Sequence, residues 1–364
     1  MAESALAQGM ISSTVVFTIV AFQLLLIIGV VWWVLATQGR SSRHDQTEAR
    51  AMNLVREPLR AFLVYGEGSE SLAAALATLK PAVAARQIQA LGGSLLAEEQ
   101  LRSLAMRVRQ DSWVQDTLDN GNSWRWWKRM EAARLLAMVC GEEDQPLLAK
   151  LVMDDHPAVA AAATAGVGRY GQRALIEEMV RRIHRLPPTV RLQQMHGLRR
   201  HAEVVAPLVV ASLDGNSPAE ELQVMVRFGE ILGTPAVFSA IVRLAAHPDG
   251  GVRASVARAL RSAYVPGAAD AARLLLGDPD WRVRAAAARA IEGLKVTAAI
   301  PALSAALRDP QWWVRFRSAV ALAGLGERGR IALEEAVVGD DPFASQMAVH
   351  VGSLSEANRL DMGG

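Results

Sequence analysis

The sequence contains a single cysteine, Cys140, which excludes an internal disulfide. It follows Val139 with no histidine or second cysteine near it, and reads as a small buried residue. Charge of one sign is also scarce. The 39 Lys and Arg against 37 Asp and Glu leave a formal net charge of +2, so no global field argues for nucleic acid. A polyanion would have to be recognised by a local patch. The usual marks of chemistry are missing too. His44, His156, His184, His196, His201, His247 and His350 show no His-x-x-x-His spacing and no adjacent His-Glu pair. There is no Gly-x-Ser-x-Gly elbow, phosphate loop or useful Cys-His pairing. The expectation is a protein without a metal, a cofactor or a reaction centre, and not an enzyme.

What the sequence does contain is repetition. Asp278-Pro279 returns as Asp309-Pro310, Val283-Arg284 as Val314-Arg315 and Ile291 as Leu322, each 31 residues on. Prolines recur near that interval at Pro157, Pro188, Pro218, Pro248, Pro279, Pro310 and Pro342. After most of them comes an Ala-rich amphipathic segment, a polar or Gly-containing turn and a second apolar segment. An all-α period of this length predicts an α-solenoid of hairpins, each too small to bury its apolar face without its neighbours.

One segment stands apart. Residues 14 to 36, TVVFTIVAFQLLLIIGVVWWVLA, carry no charge. As a helix they would extend about 34 Å, enough for a hydrocarbon core of about 30 Å. Only Glu3 is charged before this run, whereas Arg40, Arg43, Arg50, Arg56 and Arg60 follow it. Positive residues stay inside, so the expected topology puts the N-terminus outside and the repeats in the cytoplasm of a bacterial inner membrane. Trp32 and Trp33 would sit at the membrane interface.

The expected organisation is then an extracytoplasmic stretch 1–13, a transmembrane helix 14–36, a linker 37–47, degenerate hairpins 48–123 capping the solenoid, regular repeats 124–342, and a capping helix with tail 343–364.

The run Asp-Pro-x-x-x-Val-Arg-x-x-Ala-x-x-Ala-Leu, in register from about Trp124 onward, resembles the HEAT-repeat family, particularly the short repeats of phycobilin lyase-like proteins. The resemblance implies a surface for protein partners. Membrane-tethered relatives of this kind imply a membrane-associated assembly, such as an envelope-polysaccharide glycosyltransferase system. It also leaves a tetrapyrrole lyase or isomerase as the alternative activity.

Three features invite a binding role. Arg191, Arg253, Arg284 and Arg315 form a row, but one per repeat beside the Asp-Pro turns suits hydrogen bonds to turn carbonyls and to aspartates such as Asp278 and Asp309. The densest basic tract holds Arg181, Arg182, His184, Arg185, Arg199 and Arg200, expected to flank second helices lining a concave face and open to an acidic partner, nucleic acid or headgroup. Nucleic acid is the less expected of these. Adjacent indoles at Trp126-Trp127 and Trp312-Trp313 cannot both point inward, so one of each pair is expected at the surface, an interface composition. Gly166-Val167-Gly168-Arg169-Tyr170-Gly171 matches a dinucleotide fingerprint in form alone; after an Ala-rich helix its glycines should serve packing and a left-handed cap.

Overall fold

The structure, a computed structural model, describes residues 53–62, 64, 69–81, 83–85, 87–88 and 98–354. The expected span 14–36 with Trp32 and Trp33, the linker 37–47 and the last ten residues lie outside the described residues. Among the described residues every regular element is helical, and no helix is long and apolar enough to cross a membrane. The chain divides into two compact units, Met1–Asn120 and Gly121–Gly364.

In the first unit, α1 (Ser69–Ala77) buries Leu72, Ala73 and Leu76 and packs with α2 (Glu98–Val108), which contributes Leu104 and Val108. A third helix, α3 (Ser112–Asp119), buries Trp113, Val114 and Leu118.

The second unit is a stack of hairpins. Its first helices are α4 (Trp126–Val139), α6 (Pro157–Tyr170), α8 (Pro188–Leu198), α10 (Ala219–Leu232), α12 (Gly250–Leu260), α14 (Trp281–Gly293) and α16 (Trp312–Gly324). Each starts 31 residues after the one before. Between them run the second helices α5 (Gln145–Val152), α7 (Arg173–Arg182), α9 (Ala202–Ser212), α11 (Pro235–Arg243), α13 (Ala268–Leu275), α15 (Ile300–Ala306) and α17 (Glu327–Val337). A last helix, α18 (Pro342–Ser353), follows without a second helix among the described residues.

The starts are dictated locally. Pro157 and Pro188 stand at the first helical position, where a missing N–H costs nothing. Asp249 and Asp341 accept hydrogen bonds from the N–H groups of Val252 and Ala344, capping α12 and α18. The faces that meet are small and apolar: Val283, Ala287, Ala290 and Ile291 on α14 are buried, as are Val314, Phe316, Ala319 and Leu322 on α16. Small side chains let backbones approach, and a Cβ on Gly166 would come within 3.2 Å of the Ala137 Cα on the neighbouring first helix.

Apart from α8 and α10, successive first helices pack against one another more extensively than successive second helices do. Two expectations need correction. Gly171 ends α6 at φ −61°, not in the left-handed region; it is required because a Cβ there would meet the Val167 carbonyl oxygen at 2.6 Å. Cys140 caps α4 half-buried instead of buried.

The turns are held by arginine. Arg253 donates to both carboxylate oxygens of Asp278 (2.6 and 3.0 Å) and to the carbonyls of His247 and Pro248. Arg284 repeats this with Asp309 (2.7 and 3.0 Å), and Arg129 with Asp154 (2.6 and 2.8 Å). Such bidentate forks are the strongest charge-assisted geometry. In each the aspartate lies 25 residues after the arginine. Arg191 and Arg315 donate only to turn carbonyls. Asn216 stands where Arg191 would need its aspartate, and α18 begins 30 residues after α16, which leaves Asp340 out of step and exposed. Arg315 lies over the Phe343 ring instead, 5.0 Å from its centroid.

Candidate functional site

Along the first helices, α10, α12, α14 and α16 border an open groove of about 650 Å³. Its walls carry Arg258, Arg261, Arg289 and Arg317 with the indoles of Trp281 and Trp313. Repetition built it. Arg227, Arg258 and Arg289 occupy the ninth position of α10, α12 and α14, 31 residues apart, so successive repeats set one guanidinium after another along the groove. In α16 that position is the apolar Val320, and Arg317, one turn earlier, takes over.

Few of these arginines are neutralised. Arg227 pairs with Glu230 at 2.6 Å at one end, and Arg258 donates to the Ser255 hydroxyl at 2.8 Å. Arg289 forms no hydrogen bond or ion pair with the described residues, and Nη1 of Arg317 is buried without a hydrogen-bond partner. Arg317 lies over the rings of Trp313 and Phe316, at 5.8 and 5.7 Å. Burial, and then the charge of a neighbouring arginine, push the Arg289 and Arg317 guanidiniums below the ordinary arginine value.

Beneath them lies one acid. Burial raises the Glu292 carboxyl above its usual range, against the opposing pull of Lys295, Arg261, Arg289 and Arg317. Glycine makes its position possible, since a Cβ on Gly324 would meet Glu292 Oε1 at 2.6 Å, and one on Gly293 would meet Arg261 Cγ at 2.5 Å. With Glu230 engaged by Arg227, Glu292 set against Arg261, Arg289 and Arg317 leaves a surplus of positive charge in a partly desolvated cleft, where fields are strong.

The basic tract read from the sequence is not one surface. Arg181, Arg182, His184 and Arg185 close the second helix α7, while Arg199 and Arg200 follow α8. With α8 between them, the two groups stand about 16 Å apart along its axis. Arg181 pairs with Glu178 at 2.9 Å, Arg182 is half-buried, and Arg185 donates to the His184 ring at 3.2 Å. Arg199 and Arg200 are exposed. Of the tract, His184 alone lines a second groove of about 860 Å³, of mixed charge, between α8, α10 and α12.

Both members of each tryptophan pair reach the surface: Trp126, Trp127, Trp312 and Trp313 are 39%, 44%, 39% and 46% exposed. They occupy the first two residues of α4 and α16, where the buried face has barely begun. Trp126 stacks on His156 at 4.1 Å and Trp312 on Phe316 at 5.0 Å, whereas Trp313 faces the groove. Sequence reading therefore picked out Trp313 but missed the arginines around it. Their signal was the 31-residue recurrence of Arg227, Arg258 and Arg289, five residues beyond the turn-binding position. Among the described residues no cluster of His, Cys, Asp and Glu is arranged to hold a metal.

A family model described as HEAT repeats matches residues 269–351, from α13 into α18. This segment carries HEAT repeats, and the hairpin register extends the same α-solenoid architecture back to Trp126. No curated protein matches the chain in sequence. Similar solved structures include an engineered protein, 16% identical, covering 86% of this chain and 92% of that one at a TM-score of 0.34. The Escherichia coli protein YibA is 16% identical, with 71% and 98% covered and a TM-score of 0.39. Kap121p is 13% identical at a TM-score of 0.38, and the match spans 85% of this chain but 45% of Kap121p. The groove has to be interpreted on its own chemistry.

Proposed function

We propose that this chain is a docking scaffold that holds a protein partner at a membrane: residues 14–36 anchor it, the repeats face the cytoplasm of a bacterial cell, and the groove along the first helices of the solenoid grips the partner. The observation that carries the reading is the groove from α10 to α16, open along its length, with unpaired arginines and part-exposed indoles. Arginine and tryptophan are the side chains that dominate protein interfaces. An open groove suits an extended partner and gives a small substrate little enclosure, so the protein does its work without a reaction centre of its own. The uncharged run 14–36 and the arginines behind it support the anchor and its direction. The partner belongs to a membrane assembly, and the family resemblance points to envelope-polysaccharide glycosyltransferases.

The test is fractionation followed by co-purification. The full chain should stay with membranes through alkaline carbonate and, after detergent extraction, retain a protein partner that Trp313→Ala and Arg289→Glu release. A chain extracted by carbonate would remove the anchor. Undiminished recovery of the partner with both variants would remove the groove as its dock.

A further inference from the structure

We infer that the groove between α10 and α16 recognises an extended acidic segment of the partner protein, with a carboxylate at every third residue. This rests on the docking reading and specifies its chemistry.

The argument starts from spacing. Adjacent packed helices stand about 8 to 10 Å apart. Arg227, Arg258 and Arg289 share one helical position in three consecutive repeats, and Arg317 continues the series one turn earlier in the fourth. Guanidiniums are thus offered about once per 8 to 10 Å. A polyproline-type strand rises 3.1 Å per residue with three residues per turn, so every third side chain returns to the same face about 9 Å further on. The two periods match. A carboxylate at each third position would meet one guanidinium per repeat, in the planar geometry arginine favours.

Charge and shape choose the class of ligand. Glu230 already engages Arg227, so the demand for anions is greatest from Arg258 to Arg317, where among the described residues Arg289 has no partner and Arg317 has a buried unpaired donor. The chain's net charge is only +2, and it lacks the broad positive field that duplex nucleic acid calls for. Trp281 and Trp313 give apolar walls to a segment that also carries aliphatic or proline side chains.

The probe is a fluorescein-labelled peptide of tandem Glu-Pro-Ala triplets, titrated by anisotropy into the detergent-solubilised full chain. A peptide of identical composition with its glutamates contiguous and an oligothymidylate of equal charge serve as comparisons. The spaced peptide should bind several-fold more tightly than the clustered one and more tightly than the oligonucleotide. Arg289→Glu and the more exposed Arg258→Glu should each weaken it by about tenfold or more, whereas Arg181→Glu should leave it unchanged. Equal binding of the two peptides would overturn the spacing. Tighter binding of the oligonucleotide would turn the groove into a phosphate site, and indifference to both groove substitutions in folded protein would remove it altogether. If the spaced peptide fails to bind while the native partner still depends on Trp313, the acidic segment falls and the scaffold stands.

Discussion

Arg253 and Arg258 lie five residues apart on α12, as Arg284 and Arg289 do on α14, and each pair repeats at 31 residues. The first of each pair is saturated: Arg253 holds the buried Asp278, Arg284 the half-buried Asp309, and each holds two turn carbonyls. The second faces an open groove, where Arg258 has a single hydroxyl partner and Arg289 none among the described residues. A recurring arginine is therefore ambiguous by itself. What separates a rivet from a recognition group is a carboxylate waiting 25 residues on.

That contrast can be broken most forcefully at Arg253. Arg253→Ala strands Asp278, whose side chain is 5% exposed, and should cost about 3 to 5 kcal/mol in a denaturant titration. Arg258→Ala should stay within about 0.5 kcal/mol of the parent. Similar losses in the two variants would erase the distinction.

Acid should act on one set only. Burial alone would raise the carboxyl of Asp278, but hydrogen bonds from Arg253 and the Asp280 N–H, with the charges of Arg253 and Arg284, hold it below its ordinary value. Asp154 is held low in the same way by Arg129. A carboxyl depressed in the folded state contributes stability that is complete above its unfolded value of about 3.9 and fades as pH drops through the folded one. Melting temperature should therefore fall below about pH 4, and the step should shrink in Arg253→Ala.

Glu292 has the opposite sign. Its carboxyl is raised by burial, so it favours folding most when protonated and loses that contribution as pH climbs from the ordinary glutamate value through the folded one. Glu292→Gln should flatten that part of the stability profile and tighten the acidic triplet peptide by about two- to fivefold. Unchanged affinity would mean that the groove field does not set binding. The smallest effect is expected from Trp313→Phe, which should alter stability by less than about 0.5 kcal/mol and weaken the same peptide only modestly.

Much of the fold was legible because its signals repeat. The prolines and the Val-Arg pairs gave the hairpin register, and the placing of arginines beside Asp-Pro turns anticipated the forks of Arg253 and Arg284. Arg129 escaped because Lys128, not valine, precedes it and no Asp-Pro opens its repeat. The groove escaped for a different reason. Searching for neighbouring basic residues favours clusters such as Arg181–Arg185, whereas stacking unites residues one repeat apart and sends the adjacent members of a tract to opposite ends of a helix.

The most direct test of the groove is hydrogen–deuterium exchange of the full chain with and without the acidic triplet peptide. Slowed exchange confined to the first helices α10, α12, α14 and α16 is the predicted result. Protection appearing instead on the second helices, or around Arg181–Arg185, would contradict the account.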